Sequence, residues 1–248
     1  MKAMIFAAGM GTRLKPLTDS MPKALVPVHG GPLLAHTIQR LCEAGVNDIV
    51  VNVHHFAPMI VDYIRQHDFP CPVSISDESA ALLETGGGLR KASALLGNDP
   101  APILIHNVDI FSNADLRSFY ENNRQESAAL MVSSRKSSRQ LLFNDRNELV
   151  GWTNLNTGEV KSPYEHLDVD QCRRYAFSGI HLFSPALFPL MEDFPERFSI
   201  IDFYLKICGQ VKIKADVREG LKLLDVGKQD TLREAENFLE ELKCSARV

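Results

Sequence analysis

Cysteine is scarce in this chain and scattered through it. Its five residues, Cys42, Cys71, Cys172, Cys208 and Cys244, form no CxxC pair, and their number is odd. That pattern argues against a disulfide framework and a clustered zinc site, and it predicts reduced thiols that are buried or half-buried. Any block of lysine and arginine is also missing, and the net charge is -4. A nucleic-acid binder carries a basic face, so the expected partners are small molecules whose phosphates need only a local positive site. No stretch approaches the ~20 apolar residues of a membrane-spanning helix. The apolar run in residues 2–8 follows a lysine, as in a signal peptide. It is too short for one, however, and it enters a glycine loop carrying Arg13 and Lys15. The expected location is therefore the cytoplasm. Linkers, repeats and low-complexity segments are absent too, so residues 1–248 read as a single domain.

The chain has 248 residues, 45% hydrophobic and 23% charged. This is the composition of a globular protein long enough to bury a core without staples. Its first half alternates strand and helix patterns. Residues 2–8, 48–53 and 102–106 are continuous apolar runs, as in parallel strands covered on both faces, with a shorter strand at 73–75. Helices are predicted over 32–44, where Leu34, Ile38 and Leu41 share a face, and over 57–67 and 88–96. Such βαβ units predict a mainly parallel sheet with helices on both sides. Further on, strands are expected at 128–133 and 176–183, and a hairpin joins 141–143 to 149–152. Residues 154–172 read as a loop, and 185–191, 200–208 and the tail as helices.

The chemistry begins where the first strand ends. Gly9-Met10-Gly11-Thr12-Arg13-Leu14 can turn sharply and bring peptide N–H groups to phosphate oxygens. It is not a dinucleotide fingerprint: Leu14 occupies the third glycine position, and no acidic residue follows at the required distance. It is not a GxxxxGK[ST] loop either. Arg13 lies within it, and Pro22 restrains the backbone just before Lys23. An arginine that grips oxygens bidentately and a lysine acting as a point charge suit a triphosphate.

Together with Lys15-Pro16-Leu17-Thr18 and Pro22-Lys23-Ala24-Leu25-Val26-Pro27-Val28, this loop resembles the signature of the sugar-phosphate nucleotidyltransferases, also called nucleotide-sugar pyrophosphorylases. The likeness continues through Leu83-Glu84-Thr85-Gly86-Gly87-Gly88, Asn107-Val108-Asp109, Phe177-Ser178-Gly179-Ile180 and Asp225-Val226-Gly227. The resemblance implies an α/β fold of the nucleotide-diphospho-sugar transferase type, a Rossmann-like three-layer α/β/α arrangement with a mainly parallel sheet. It implies an enzyme that makes a nucleotide sugar and pyrophosphate from a nucleoside triphosphate and a sugar 1-phosphate; the expected state is a monomer or weak homo-oligomer. Within the family the chain is most similar to the N-acetylmuramate-1-phosphate uridylyltransferases of cell-wall recycling. Guanylyltransferases for mannose or heptose 1-phosphate have similar loops.

By that resemblance Ala8, Gly9, Gly11, Thr12, Arg13 and Lys23 hold the triphosphate, Arg13 and Lys23 as the catalytic cations. Asp109 and Asp225 bind Mg²⁺. In the reading of the site itself, Glu84, Gly86 and Gly87 are expected to form the nucleobase wall, Asn107 to touch ribose or the sugar, and Gly179 and Glu165 to face the sugar. Val108 stands where the resembling sequences carry glycine, and its β-branch narrows the backbone there. Read without the family, Asp109 is equally a magnesium ligand at a strand's end and a helix cap, and Asp225 reads as a cap for the final helix. Adjacent His54 and His55 point to opposite faces of a strand and read as structural. Two functions of other classes compete: a dinucleotide-dependent oxidoreductase, opposed by the missing glycine and acid, and a nucleotide-sugar sensor without turnover, opposed by the four charged residues.

Overall fold

The computed structural model describes residues 1–97 and 99–245, and the burial expected of the Cys244 thiol lies outside the side chains described. The apolar run opening the chain forms β1 (Lys2–Phe6). The strand stops two residues short of the predicted end because Ala7 leaves the ladder, its N–H donating to Asn52 Oδ1 at 2.7 Å. A short ribbon of β2 (Pro27–Val28) and β3 (Gly31–Pro32) leads into α1 (Leu33–Glu43). Then come β4 (Asp48–Val53), α2 (Ala57–Gln66), β5 (Val73–Asp77), α3 (Glu84–Lys91), α4 (Ser93–Leu96) and β6 (Ile103–Asn107). β1 pairs in parallel with both β4 and β6, and β4 with β5. Their carboxyl ends thus share one edge of the sheet, where open α/β sheets bind ligands.

The second half adds β7 (Ile110–Ser112), α5 (Leu116–Asn123), β8 (Ala128–Ser133), the hairpin β9 (Arg139–Phe143) and β10 (Leu149–Asn154), and β11 (Glu159–Lys161). β12 (Arg173–Phe183), α6 (Ile200–Ile207), β13 (Ile213–Val217), β14 (Leu223–Asp225) and α7 (Gln229–Ser245) complete the chain. β11 falls in the stretch expected to be loop. β12 is antiparallel to β6, β8 and β9, so the ten-stranded sheet is parallel in its β6-β1-β4-β5 portion and mixed beyond it. A separate two-stranded ladder, β14 against β7, carries Asp225 back to the end of β6.

Side-chain alternation along β1 splits the core. Ala3, Ile5 and Ala7 face one cluster, built with α1, α2 and α5, while Met4 and Phe6 face another, built with α3 and α6. Helices cover both faces, which gives three layers. Asp115 caps α5 by accepting from Ser118 N–H at 2.9 Å, and Ser199 caps α6 by accepting from Asp202 N–H at 3.0 Å. Cys42, Cys71, Cys172 and Cys208 are free thiols, buried or half-buried. Cys42 Sγ lies 2.9 Å from Cys71 Sγ, a proximity their spacing did not foretell.

Two buried imidazoles make the fold acid-sensitive. Burial lowers His106 to about 4, with nearby Arg40 adding to the effect, and lowers His181 to about 3. His181 Nδ1 is 2.8 Å from the Tyr204 hydroxyl. A base whose folded pKa lies below its unfolded value near 6.5 contributes stability above that pH and loses it as pH falls toward the folded value. At pH 5 each ring is expected to destabilise the fold by about 2 kcal/mol relative to pH 8. Thermal midpoints recorded across that interval test this, and a flat profile would contradict it.

Candidate active site

The glycine loop leaves β1 at the carboxyl edge and folds into three 3₁₀ turns, 12–14, 17–19 and 23–25. Gly11 has φ +64, and an added Cβ would lie 2.9 Å from Thr18 Cγ2 and 3.0 Å from Lys23 Cβ. Only glycine fits that left-handed, crowded position. The Thr18 hydroxyl donates to Gly11 O at 2.9 Å and ties the first turn to the second. Pro22 is extended, at φ -69, and delivers Lys23 inward. The lysine is 9% exposed, and its Nζ donates to Asp109 Oδ2.

Asp109 follows β6 by two residues. Val226 N–H donates to Asp109 O at 2.8 Å, and Asp225 stands opposite Ile110 in the β14–β7 ladder. The two carboxylates are therefore close. Burial raises the pKa of Asp225, and Asp109 raises it further, against Lys23, Arg13 and Arg135. Arg13 Nη2 is 3.9 Å from Asp225 Oδ2, a loose and exposed ion pair. Arg13, Lys23, Asp109 and Asp225 thus meet at one place. Neither aspartate acts as a helix cap: Asp115 caps α5, and Asp225 lies on a strand. Among the described residues no group of three or more His, Cys, Asp or Glu forms a ready-made metal cage. Two mutually repelling carboxylates nevertheless fit Mg²⁺, which takes one or two carboxylates and completes its shell with water and phosphate oxygens.

Beside this cluster lies a cavity of about 360 Å³, within the ~300–1,000 Å³ usual for small-molecule sites. Of the residues singled out from sequence, Ala8, Gly9, Lys23, Glu84, Asn107 and Asp109 line it. Gly11, Thr12 and Arg13 belong to the adjoining loop. Val108 also lines the cavity, and its backbone is not left-handed, so the β-branched residue fits without strain. Among the described residues no helix is long and apolar enough to cross a membrane.

Four of the residues expected at the base or the sugar do not line the cavity. Gly86 and Gly87 are not in a loop. They lie in the first turns of α3, and both N–H groups donate to Phe198 O, at 2.9 and 3.2 Å. A Cβ on Gly86 would overlap the Phe198 ring, so the glycines serve the close approach of α3 to the 196–198 segment. Gly179 stands behind Asn107 and outside the cavity lining: its added Cβ would be 2.7 Å from Asn107 Nδ2. Glu165 is remote. Its neighbour Tyr164 donates to Cys208 O at 3.3 Å, beyond the carboxyl end of α6, whereas Ser199 at the amino end lines the cavity. Eight helical residues, about 12 Å, separate the two.

Helix-interior glycine is ordinarily about 1 kcal/mol worse than alanine. Here the sign reverses. Gly86→Ala is expected to lower stability by about 1–3 kcal/mol through overpacking against Phe198, lowering the thermal midpoint by roughly 2–4 °C per kcal/mol. A midpoint at or above that of the parent protein would show that α3 does not press on Phe198.

Sequence reading missed a buried polar bridge. Glu78 is fully buried. It accepts from Asn52 Nδ2 at 2.7 Å and from Leu83 N–H at 3.3 Å, while Asn52 Oδ1 accepts from Ala7 N–H. Burial raises the Glu78 pKa, and its hydrogen bonds oppose the rise. The bridge ties the end of β4 and the loop before α3 to the start of the glycine loop. One signal was available: Asn52 is the sole polar residue inside the run Ile49-Val50-Val51-Asn52-Val53.

With this geometry in view, the comparisons with known proteins converge. The family model described as Nucleotidyl transferase matches residues 2–242. The chain is similar to the N-acetylmuramate alpha-1-phosphate uridylyltransferase of Caulobacter vibrioides, 31% identical, with 88% of this chain and 89% of that protein covered. It is also similar to mannose-1-phosphate guanyltransferase 2 of Candida glabrata, 27% identical, over 98% of this chain and 66% of that protein. The inositol-1-phosphate CTP transferase of T. maritima superposes with a TM-score of 0.78 at 15% identity, covering 98% of this chain and 96% of that one. At that identity the likeness concerns the fold alone.

Proposed function

The chain belongs to the nucleotidyl transferase family, and from that premise we propose that it is a cytoplasmic uridylyltransferase joining UTP to N-acetylmuramate 1-phosphate. Its reaction class is sugar-1-phosphate nucleotidyl transfer. The observation that carries the mechanism is the meeting of Arg13, Lys23, Asp109 and Asp225 beside the cavity. The choice of UTP and of this sugar rests on similarity to the Caulobacter enzyme over nearly the whole of both chains.

The incoming nucleophile is already an anion, so no protein nucleophile is needed. An oxygen of the sugar phosphate bonds to the α-phosphorus in line. The bond from the α-phosphorus to the bridging oxygen breaks, and its electron pair leaves with pyrophosphate. The work left to the protein is positioning and neutralising charge. Peptide N–H groups of Ala8, Gly9, Gly11 and Thr12, with the Arg13 guanidinium, hold the triphosphate at the end of β1. Lys23, fixed between Pro22 and the Asp109 carboxylate, offsets charge at the reacting phosphates. Asp109 and Asp225 would hold Mg²⁺, which when bound draws electron density from the phosphate oxygens.

Strand order supports a division of the remaining residues. Asn52, Leu82 and Thr85 lie on the β4 side of the glycine loop and would receive the base, with Glu84 beside them. Asn107 and Val108 lie on the β6 side and would face the sugar. Glu84 is fixed for this by Arg197, whose Nε donates to Glu84 Oε1 at 2.9 Å.

Pyrophosphate release from each of the four triphosphates, paired with N-acetylmuramate, mannose and glucose 1-phosphates, tests the proposal. UTP with N-acetylmuramate 1-phosphate is expected to give the highest kcat/KM. A preference for GTP with mannose 1-phosphate would replace the substrate assignment and leave the reaction class standing. Binding without pyrophosphate release from any pair would make the protein a sensor.

A further inference from the structure

In-line displacement requires the entering and leaving groups on opposite sides of the phosphorus. The glycine loop approaches the Asp109–Asp225 pair from the β1 side of β6. The other neighbour of β6 is β12. β12 runs antiparallel to β6, with Ile180 opposite His106, and β8 runs antiparallel to β12, with Ser133 opposite Ala176. The end of β8 therefore reaches the same edge of the sheet as the end of β6. Two residues beyond it stands Arg135, exposed, at the head of the basic segment Arg135-Lys136-Ser137-Ser138-Arg139.

Arg135 is tied to β12. Its Nη2 donates to Phe177 O at 2.8 Å, and two residues along β12 Gly179 packs on Asn107, a wall of the cavity. Cations thus stand on both sides of β6, Arg13 and Lys23 from the β1 side and Arg135, beyond the end of β8, tied to β12. Resting on the transfer chemistry proposed above, we infer that Arg135 binds the phosphate of the incoming sugar 1-phosphate, on the side opposite the departing pyrophosphate. The guanidinium offers five N–H donors in a rigid fork that matches phosphate geometry. Phe177 O holds one of them and sets the fork's direction.

Steady-state kinetics with both substrates varied separate this role from a structural one. Arg135→Gln is expected to raise KM for N-acetylmuramate 1-phosphate about tenfold or more, as loss of a charge-assisted contact does. KM for UTP, KM for pyrophosphate in the reverse reaction and the thermal midpoint stay near the parent values. Arg135→Lys recovers part of the loss as a point charge. Equal rises in the KM of both forward substrates, or an unchanged sugar-phosphate KM in an otherwise active enzyme, would remove Arg135 from the acceptor site and leave the transfer reaction intact. Failure of the parent protein to release pyrophosphate from any pair would end both assignments.

Discussion

Asp109→Asn is expected to leave a folded protein whose turnover falls about a thousandfold, roughly 4 kcal/mol of transition-state stabilisation. Asparagine keeps the volume and one oxygen of the side chain but removes its charge. The local backbone does not depend on that charge, because Asp109 anchors to β14 through its carbonyl, which accepts from Val226 N–H. What disappears is one of the two anionic groups offered to a divalent ion, together with the partner that holds Lys23. Lys23 is left beside Asp225 alone, and the stability loss should stay at about 1.5–3 kcal/mol, the range of a missing hydrogen bond to a charged group. Pyrophosphate release gives the first quantity and thermal denaturation the second. Near-parental turnover would take Asp109 out of the reaction.

Lys23→Met is expected to lower turnover by about two to three orders of magnitude, as removal of a single preorganised charge-stabilising donor does. Its effect on stability differs in kind from that of Asp109→Asn. The lysine is buried, and its Nζ stands on Asp109 near Asp225. Methionine keeps most of the stem's packing, yet it leaves two carboxylates facing each other without their cation. Breaking such a pair by removing one partner costs about 3–5 kcal/mol when it is fully buried, and this pair is partly open, with the side chains 11% and 17% exposed. A drop of about 2 kcal/mol is the expected result. Added Mg²⁺ should restore more of the thermal midpoint in Lys23→Met than in the parent, because the ion meets the repulsion that the lysine had offset. Equal responses to Mg²⁺ in the two proteins would show that the carboxylates do not share an ion.

Much of the architecture was legible because burial leaves a local record. The apolar runs of β1, β4 and β6 and the face of Leu34, Ile38 and Leu41 on α1 all appear as strand or helix where periodicity put them. Short elements with little periodicity, β7, β11, β13 and β14, left no such record. Three residues of β14 owe their strand state to pairing with β7 more than a hundred residues earlier. The 185–191 segment, expected as helix, is a 3₁₀ helix containing Pro189, whose missing N–H cannot join an α-helical ladder.

The glycine loop, Arg13 and Lys23 could be read as a phosphate site from residue type and spacing, since backbone freedom and fixed charge within fifteen residues are local properties. Asp109 alone was ambiguous, and Asp225 resembled a cap. Arg135, Asn52 and Glu78 were passed over, because an exposed arginine, an asparagine in a strand and a glutamate before a loop are ordinary one at a time.

The amino-acid order by itself determined the layered α/β class, the cationic glycine loop and the kind of chemistry such a loop serves. Only the tertiary structure decided that Asp225 meets Asp109, that Gly86 and Gly87 serve packing against Phe198, that Tyr164 docks on the carboxyl end of α6, and that Arg135 is tied to β12. The reason is physical. Periodicity and turn chemistry report what each residue does with its near neighbours, whereas distances between remote segments follow from strand order and register, which the whole chain settles at once.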